Sequence, residues 1–185
     1  GNVVVGHSKR LTVAVMNPGT APLSINTLTV SSAQFRVLPT GPYSLNAGDS
    51  LLVGITFAPA AAGPQSGILT ITARDDPEKG AVTLPLSGAG AQPVIDVPPS
   101  LSFGRVALGL PAVSTILISN LGASDLTVRK ITTSDSQFVA EPDSLVVPAG
   151  SRLRATVIFT PRVLGATSAS MTLLSDDPNK GAVVV

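Results

Sequence analysis

The sequence predicts an all-β chain built from two tandem β-sandwich domains of about seven strands each. Three observations support this prediction. A stretch of about one hundred residues occurs twice. Apolar and polar residues alternate within short segments, as expected of strands that bury one face. The chain contains 17 glycines and 16 prolines, which lie so close together that few segments could hold a helix. This frequency of short strands and turns is typical of immunoglobulin-like (Ig-like) sandwiches.

The repeat is plainest at an acidic turn. Asp75-Asp76-Pro77 in the first copy returns as Asp176-Asp177-Pro178 in the second. The other landmarks align at offsets that fall from 103 to 101 residues, so two single-residue deletions at loops or strand ends separate the copies. Changes confined to such places are expected of a structural repeat. The matched landmarks include Asn17 and Asn120, Phe35 and Phe138, Phe57 and Phe159, and Gly63 and Gly165.

The strands are predicted from period-two alternation. Leu11, Val13 and Val15 alternate with smaller or polar residues and predict an early strand. Residues 51–57 and 69–71 predict two more, and the second copy repeats the pattern. A Phe-x-Pro stretch ends a buried strand in each copy, because proline cannot donate to a β-ladder. The chain has no cysteine or tryptophan, so we expect an aliphatic core with phenylalanines 35, 57, 103, 138 and 159.

The two predicted domains divide between residues 91 and 92. The first, residues 1–91, lacks a counterpart of the opening strand predicted at 93–97, and the second, residues 92–185, stops within its closing strand. A sandwich without one strand exposes an unpaired edge. Three explanations stay open: a piece of a longer array, a strand supplied by a neighbouring subunit, or a domain that does without the strand. The predicted interaction edge consists of Val3, Val4, Val5, Val183, Val184 and Val185.

Composition argues against several functions. The chain carries 12 basic and 11 acidic residues, evenly spread, so it lacks the basic face that binds nucleic acid. No run reaches the roughly 18 apolar residues of a membrane-spanning helix, so membrane insertion is not expected. Only 12% of residues are charged, and the mean hydropathy is +0.42. Such a surface suits packing in an assembly, although a weakly charged secreted bacterial protein would have a similar composition.

No motif predicts a catalytic, metal or cofactor site. The acidic turn could offer carboxylates to Ca²⁺, but its proline and closing glycine favour a β-turn. His7 is the only histidine, which leaves no His-based metal site and no recognisable catalytic triad. Hydrolase, Walker and metalloprotease motifs are absent. Tyr43, the only tyrosine, is predicted on a loop. We therefore expect no enzymatic activity and no cofactor.

The ordered motifs resemble a known family. They are Asn-x-Gly, Phe, Ala-Gly, Phe-x-Pro, Gly, Asp-Asp-Pro and a closing Leu-x-Gly-x-Gly that includes Gly88 and Gly90. This order is similar to the ASH-type Ig-like domains, named for ASPM, SPD-2 and Hydin, and to the bacterial repeats called choice-of-anchor D. The resemblance covers the chain twice, except that the second copy ends before the closing glycines. It implies a sandwich similar to PapD and major sperm protein, and a role in scaffolding, adhesion or protein contact without cofactors.

Two functional hypotheses follow. The first is a non-catalytic structural module of a bacterial cell-surface, extracellular or periplasmic protein, in which neighbouring repeats or identical subunits form a stalk or filament by strand complementation. The second is a surface adhesion module that binds another protein or a glycan through its inter-strand loops. Repetition, low charge and the incomplete sandwiches favour the first hypothesis. A single loop aromatic counts against glycan binding. The resemblance also extends to ciliary and centrosomal scaffolds.

Overall fold

A computed structural model describes residues 1–73 and 80–185, and the chain divides into two compact units. Unit 1 is Gly1–Ala91 and unit 2 is Gln92–Val185. The described residues form strands, turns and loops, with no helix among them. The prediction of an all-β fold with two Ig-like sandwiches is confirmed. The first copy of the acidic turn, at 75–77, lies outside the described residues.

Unit 1 buries its core between two sheets. Its strands are β1 (Asn2–Val4), β2 (Lys9–Met16), β3 (Leu23–Val30), β4 (Phe35–Leu38), β5 (Tyr43–Leu45), β6 (Ser50–Phe57), β7 (Gly63–Ala73) and β8 (Ala81–Ala91). The larger sheet has the strand order β1-β8-β7-β3-β5, and the smaller has the order β2-β6-β4. Strand β2 is therefore an edge strand. The outer strand β1 runs parallel to the end of β8 and pairs Val3 with Gly90.

Unit 2 also contains two sheets. Its strands are β9 (Ile95–Asp96), β10 (Ala112–Asn120), β11 (Leu126–Thr133), β12 (Phe138–Glu141), β13 (Leu145–Val147), β14 (Arg152–Phe159), β15 (Met171–Ser175) and β16 (Ala182–Val184). One sheet has the order β12-β14-β10-β9 and the other the order β13-β11-β15-β16. Strand β10, the counterpart of β2, is therefore an inner strand, because β9 pairs with its end.

The alternating residues of each unit form its core. In unit 1, Ile25 and Leu28 from the larger sheet pack with Val53 from the smaller. In unit 2, Val128 from one sheet packs with Ile116 from the other. The phenylalanines of each unit gather at one place, where Phe35 stacks on Phe57 and Phe138 stacks on Phe159. The residues that strand alternation predicts to face inward are therefore the ones that form the core, because alternate side chains of a strand point to opposite faces of the sheet.

One local prediction is wrong. Tyr43 was expected on a loop, but it begins β5, pairs with Ile25 and is half buried against the core. The prolines and glycine around Tyr43 suggested a loop, and the short strand forms because β3 offers it a pairing edge. Short strands of this kind are set by tertiary pairing more than by local propensity.

Candidate interaction surfaces

The opening strand of unit 2 is held at the corner that follows β10. The backbone N–H of Leu121 donates to the Val94 carbonyl at 2.8 Å, and the Ala123 N–H donates to the Gln92 carbonyl at 3.0 Å. The Val94 N–H in turn donates to Oδ1 of Asn120 at 3.2 Å. The segment that leads into β9 is thus bound through its backbone on both sides of Val94.

Asn120 organises this corner from within. Its side chain is fully buried, and its amide nitrogen donates to the carbonyls of Ser124 at 2.8 Å and Val147 at 3.0 Å. Its Oδ1 also accepts the Gly122 N–H at 3.0 Å. A buried amide with every polar atom satisfied is a rigid element. Asn120 therefore shapes the turn and presents one remaining acceptor position to the incoming strand.

Gly122 lets the opening strand approach closely. A Cβ atom at this position would lie 2.2 Å from the Gln92 carbonyl oxygen and 2.7 Å from the Val94 nitrogen. Both distances are too short for any real contact with backbone atoms. Glycine is needed here for space, because another backbone passes directly over it.

The second acidic turn completes the attachment. Asp177 is buried, and its Oδ2 accepts the Ile95 N–H at 2.8 Å. Its Oδ1 accepts the N–H groups of Asn179 at 2.8 Å and Lys180 at 3.1 Å. The turn predicted from the sequence is present in this copy, and it has a second role, because one aspartate ties β9 to the opposite sheet. The recurrence of the motif was the only sequence signal for this role.

Unit 1 has an open groove at the corresponding corner, between the end of β2 and the edge of β8. We call it the opening-strand groove and define it by Val13, Val15, Asn17, Gly19, Ile71 and Leu84. Its volume is about 750 Å³, within the range of small-molecule and peptide pockets. None of the described residues that line it is charged. Apolar side chains also stand on its rim, where Met16 is 63% and Val82 is 46% exposed.

Asn17 builds the same turn in unit 1 as Asn120 builds in unit 2. Its amide nitrogen donates to the carbonyls of Ala21 at 2.8 Å and Leu45 at 3.0 Å, and its Oδ1 accepts the Gly19 N–H at 3.1 Å. Gly19 is less crowded than Gly122, because an added Cβ would approach no backbone closely and would meet only the Asn17 side chain, whose Oδ1 lies at 3.1 Å. The two corners thus share their internal hydrogen bonds and differ in what lies over the glycine.

The predicted edge residues of unit 1 lie on β1 and just after it. Val3 is buried in the core, Val4 is 42% exposed, and the Val5 N–H donates to the Ala91 carbonyl at 2.8 Å. The three valines are therefore in different environments: Val3 packs inward, Val4 points away from the core, and Val5 joins the chain to β8.

The predicted edge residues of unit 2 lie on the outer strand β16 and directly after it. Val183 and Val185 are partly buried against the core, whereas Val184 is 60% exposed. The Val185 N–H and carbonyl both bond to Met171, each at 2.9 Å. Val4 and Val184 are thus the members of the predicted set whose side chains are available on edge strands.

The described residues were compared with the requirements of a metal site and of a membrane-spanning helix. They contain no group of three or more His, Cys, Asp or Glu side chains placed to hold a metal ion. Within the same ranges, no helix is long and apolar enough to cross a membrane. Two exposed carboxylates of unit 2 have perturbed acidities: hydrogen bonds from Gln137 lower the pKa of Asp135, and the hydrogen bond and charge of Lys130 lower the pKa of Asp143. Both interactions are local to the surface of unit 2.

The two sandwiches define the chain as a pair of Ig-like repeats. Residues 93–185 match the family of HYDIN/CFA65/VesB-like Ig-like domains. Residues 1–79 match the family described as abnormal spindle-like microcephaly-associated, ASPM-SPD-2-Hydin (ASH). The chain therefore belongs to the HYDIN/CFA65/VesB-like and ASH group of Ig-like domains, as the sequence motifs predicted. Domains of these families are generally non-catalytic.

Solved structures with a similar chain course come from several bacteria. A protein of unknown function from Porphyromonas gingivalis W83 is 18% identical, covers 99% of this chain and 91% of its own, and has a TM-score of 0.47. The secreted serine protease VesC from Vibrio cholerae is 15% identical over 90% of this chain and 46% of its own, with a TM-score of 0.39. The CsuC–CsuE chaperone–tip adhesion subunit pre-assembly complex from Acinetobacter baumannii is 14% identical over 100% of this chain and 93% of its own, with a TM-score of 0.39. No curated protein sequence matches the chain.

Sequence reasoning located the edge strands and predicted an open place in the first domain, but it did not identify the residues that line the groove. It predicted that the opening strand of the second domain has no counterpart in the first, and it assigned the interaction to the valines of β1 and β16. Asn17, Gly19 and the half-buried Val13 were seen only as repeat landmarks or core residues. Their recurrence at Asn120, Gly122 and Ile116 was the available signal, but its meaning depends on seeing a strand pass over one corner.

Proposed function

We propose that the chain is a non-catalytic structural module of a bacterial cell-surface or secreted protein. In this proposal its repeats build a stalk or filament through β contacts between repeats or identical subunits. The observation that carries the proposal is the apolar character of two outer strands, β1 and β16, which present Val4 and Val184 at 42% and 60% exposure.

Edge strands are normally protected from pairing with other chains. Lysine, proline and inward-pointing charges are the common devices, because an open edge is a template for another strand. Residues 3–5 and 183–185 are instead consecutive valines, which have high β propensity. An unprotected edge of this composition supports association by strand addition, in which backbone hydrogen bonds continue the sheet.

Family and composition support the same proposal. The matched domains are generally non-catalytic, and only 12% of the residues are charged. A weakly charged surface has a small desolvation cost when it is covered by a neighbour. We place the module on the bacterial surface, in secreted material or in the periplasm, in a setting like that of choice-of-anchor D repeats. Partners in this proposal are neighbouring repeats, identical subunits or other surface proteins, without nucleic acid or cofactor.

The test is self-association of the full chain. Light scattering after size exclusion and negative-stain electron microscopy should reveal concentration-dependent, head-to-tail oligomers. Val4→Lys and Val184→Lys should each reduce association, since a charge on an edge opposes strand pairing. Leu52→Lys is the matched control, because Leu52 is 66% exposed but lies on the inner strand β6. A chain that stays monomeric at all concentrations would exclude the filament.

A second candidate function is adhesion through loops. Its specific support is an exposed apolar cluster in unit 2 formed by Leu108, Val163 and Leu164, with exposures of 52%, 60% and 88%. The repeat has Ala61 and Ala62 where this loop has Val163 and Leu164. A partner protein with an apolar surface would suit this cluster, whereas half-buried Tyr43 gives no aromatic platform for a glycan. Val163→Ser with Leu164→Ser should abolish capture of a surface partner while leaving edge-dependent association unchanged.

A further inference from the structure

We propose that the outer face of the smaller sheet of unit 1 binds a carboxylate from an acidic segment of a partner protein. We call this site the arginine clamp and define it by Arg10, Arg36 and Thr56. The clamp lies on β2, β4 and β6 and not on the edge strands β1 and β16, so this inference goes beyond the proposed function and does not depend on it. Strand register, packing, charge and a comparison with unit 2 carry the inference.

The clamp is a row of three side chains that crosses the sheet. Arg10 of β2 and Arg36 of β4 both pair with Thr56 of the central strand β6. Thr56 stands between the buried residues Ile55 and Phe57, so its side chain and those paired with it point away from the core. Neighbouring strands are about 5 Å apart, so the two arginines flank the threonine closely. Two guanidinium groups and a hydroxyl on one side of a sheet supply the donors that a carboxylate accepts.

Arg10 is already turned toward the centre of this row. A Cβ atom added at Gly54 would lie 2.6 Å from Cζ of Arg10, so the guanidinium lies directly over this glycine of β6. Gly54 has no positive φ, and what glycine provides at this point of the strand is space for a close neighbour. An arginine that rests on the adjacent strand loses less conformational freedom on binding than one that extends into solvent.

The clamp lies at an end of unit 1 where the described charges are positive. Lys9 precedes Arg10, and no outward position of β2, β4 or β6 is Asp or Glu. Asp49 is the acidic residue of unit 1 that the structure describes, and it is seven residues from Thr56, roughly 20 Å along β6. The ion pair found within the described ranges is in unit 2, so neither arginine pairs with a described carboxylate. An unneutralised positive patch attracts an anionic partner.

The other acidic residues of unit 1 occur in the segment 74–79, which follows β7. Ala73 ends β7 in the larger sheet, and its N–H donates to the Gly80 carbonyl at 3.1 Å. Gly67 of the same strand lies against the Phe35 ring, beside the clamp. Ala73 is six residues further along β7, roughly 20 Å away. The described residues on both sides of this segment are therefore distant from the clamp.

Unit 2 has an apolar row at the same place. The repeat counterparts of the three clamp residues, in the same register, are Val113, Ile158 and Val139. Thr156 stands in the place of Gly54, so the space that receives a guanidinium is also missing. The same sheet therefore forms without the arginines and without the glycine. Their presence in unit 1 is not required by the pairing of the strands, which favours a role in binding.

The surroundings of the clamp favour a protein segment over other anions. Leu38 pairs with Gly54 and is 48% exposed, and Leu52 of β6 is also exposed. Arginine beside exposed apolar side chains is typical of protein interfaces. A nucleic acid would need a longer run of basic side chains, and a charged glycan has no apolar surface to cover these leucines. The occupant is therefore a segment in which Asp or Glu stands beside apolar residues.

The experiment titrates the full chain with a short synthetic peptide of alternating leucine and glutamate. A second peptide has glutamine in place of each glutamate. NMR signals of the Arg10 and Arg36 Nε–H groups and of the Thr56 amide should shift on addition of the acidic peptide. The glutamine peptide should bind roughly tenfold more weakly, because charge-assisted hydrogen bonds are about twice as strong as neutral ones. Binding of the acidic peptide should also weaken as the salt concentration rises.

Three variants and a matched control locate the binding. Arg10→Gln and Arg36→Gln should each weaken binding of the acidic peptide roughly three- to tenfold. Arg154→Gln is the control and should have no effect, because it removes the same charge from an exposed, outward position on the equivalent sheet of unit 2. Gly54→Thr should weaken binding as much as Arg10→Gln, because its side chain displaces the guanidinium. The thermal midpoint of this variant should not fall, since unit 2 carries Thr156 at the same place.

The outcomes separate this inference from the proposed function. Equal losses in Arg154→Gln and in the clamp variants would show that binding follows net charge alone, which overturns the inference. Equal binding of the glutamine peptide, or no binding at millimolar peptide, would also overturn it. An oligogalacturonate that binds more tightly than the peptide, with the same dependence on Arg10, would contradict a protein partner.

Self-association provides the last distinction. The clamp variants should leave association through Val4 and Val184 unchanged, because those residues lie on other strands. Loss of self-association in both Arg10→Gln and Arg36→Gln would show that a second copy of the chain occupies the clamp, which contradicts the inference. Peptide binding by a strictly monomeric chain would support the clamp and exclude the filament.

Discussion

The two Asn-x-Gly corners have the same local turn but different surroundings. In unit 2 the corner holds β9, with Gly122 under the backbone of Gln92 and Val94. In unit 1 the same turn, with the same internal hydrogen bonds to Asn17, stands beside an open groove. The turn therefore forms without the strand, and the strand is an addition to a corner that is already built.

The largest expected loss of stability comes from truncating Ile95, the side chain that β9 places in the core of unit 2. Ile95→Ala should destabilise unit 2 by about 2–5 kcal/mol, because a fully buried isoleucine leaves a cavity. Hydrogen exchange measured separately for the strands of each unit is the appropriate readout, since two units need not unfold together. Val13→Ala, at the uncovered corner, is the control and should cost clearly less. Equal losses would contradict the difference in burial between the corners.

Removal of the carboxylate that joins β9 to the opposite sheet should come next. Asp177→Ala should cost about 1.5–3 kcal/mol, the range for a hydrogen bond to a charged group, because the Ile95, Asn179 and Lys180 N–H groups lose their acceptor. Exchange protection should fall first at the Ile95 amide. Asp177→Asn keeps one acceptor oxygen and should lose less. Unchanged protection at Ile95 would show that the side chain does not hold β9.

The two corner glycines give the sharpest contrast. Gly122→Ala should destabilise unit 2 by about 1–3 kcal/mol, the range for overpacking, because the added Cβ would overlap the backbone of residues 92–94. Gly19→Ala should cost clearly less, because the added Cβ would press only on the Asn17 side chain, whose Oδ1 lies at 3.1 Å. Denaturant melts of the two variants under identical conditions test this directly. A large loss in the unit 1 variant would mean that glycine is required there for another reason.

The smallest effect is expected at the surface. Lys130 lowers the pKa of Asp143 below its usual value of 3.8, so the pair stabilises unit 2 above about pH 4 and loses this contribution as the pH falls further. Both side chains are at least half exposed, and exposed pairs contribute little. Asp143→Asn should therefore shift the midpoint only slightly at pH 7 and not at all at low pH. A larger shift at low pH would reverse the expected sign.

Much of the fold was predictable because strands and turns depend on residues that are close together in the sequence. Alternation identified β2, β6 and β7, and the Phe-x-Pro stretches marked the ends of β6 and β14. Turn chemistry identified the acidic loop after β15, where proline and aspartate act within a few residues of each other. Tyr43 was misplaced, since its strand exists only through pairing with β3.

The candidate site was predictable only in part. The valines of β1 and β16 could be named because an edge follows from the order of repeats, but their separate environments could not. Val3 and Val4 are adjacent, yet one is buried and the other exposed. The missing opening strand predicted an open place in the first domain, but not the residues that line it, because β2 is separated from β7 and β8 by more than forty residues of chain.

The sequence by itself determined the repeat, the strands, the buried faces and the two corner turns, because these depend on residues that are neighbours or alternate along a strand. Only the tertiary structure showed how the opening strand is held in its corner. Ile95 and Asp177 are 82 residues apart when they bond, and such a contact is set by how the sheets close around the core. The same Asn-x-Gly signal therefore marks a finished corner in unit 2 and an open groove in unit 1.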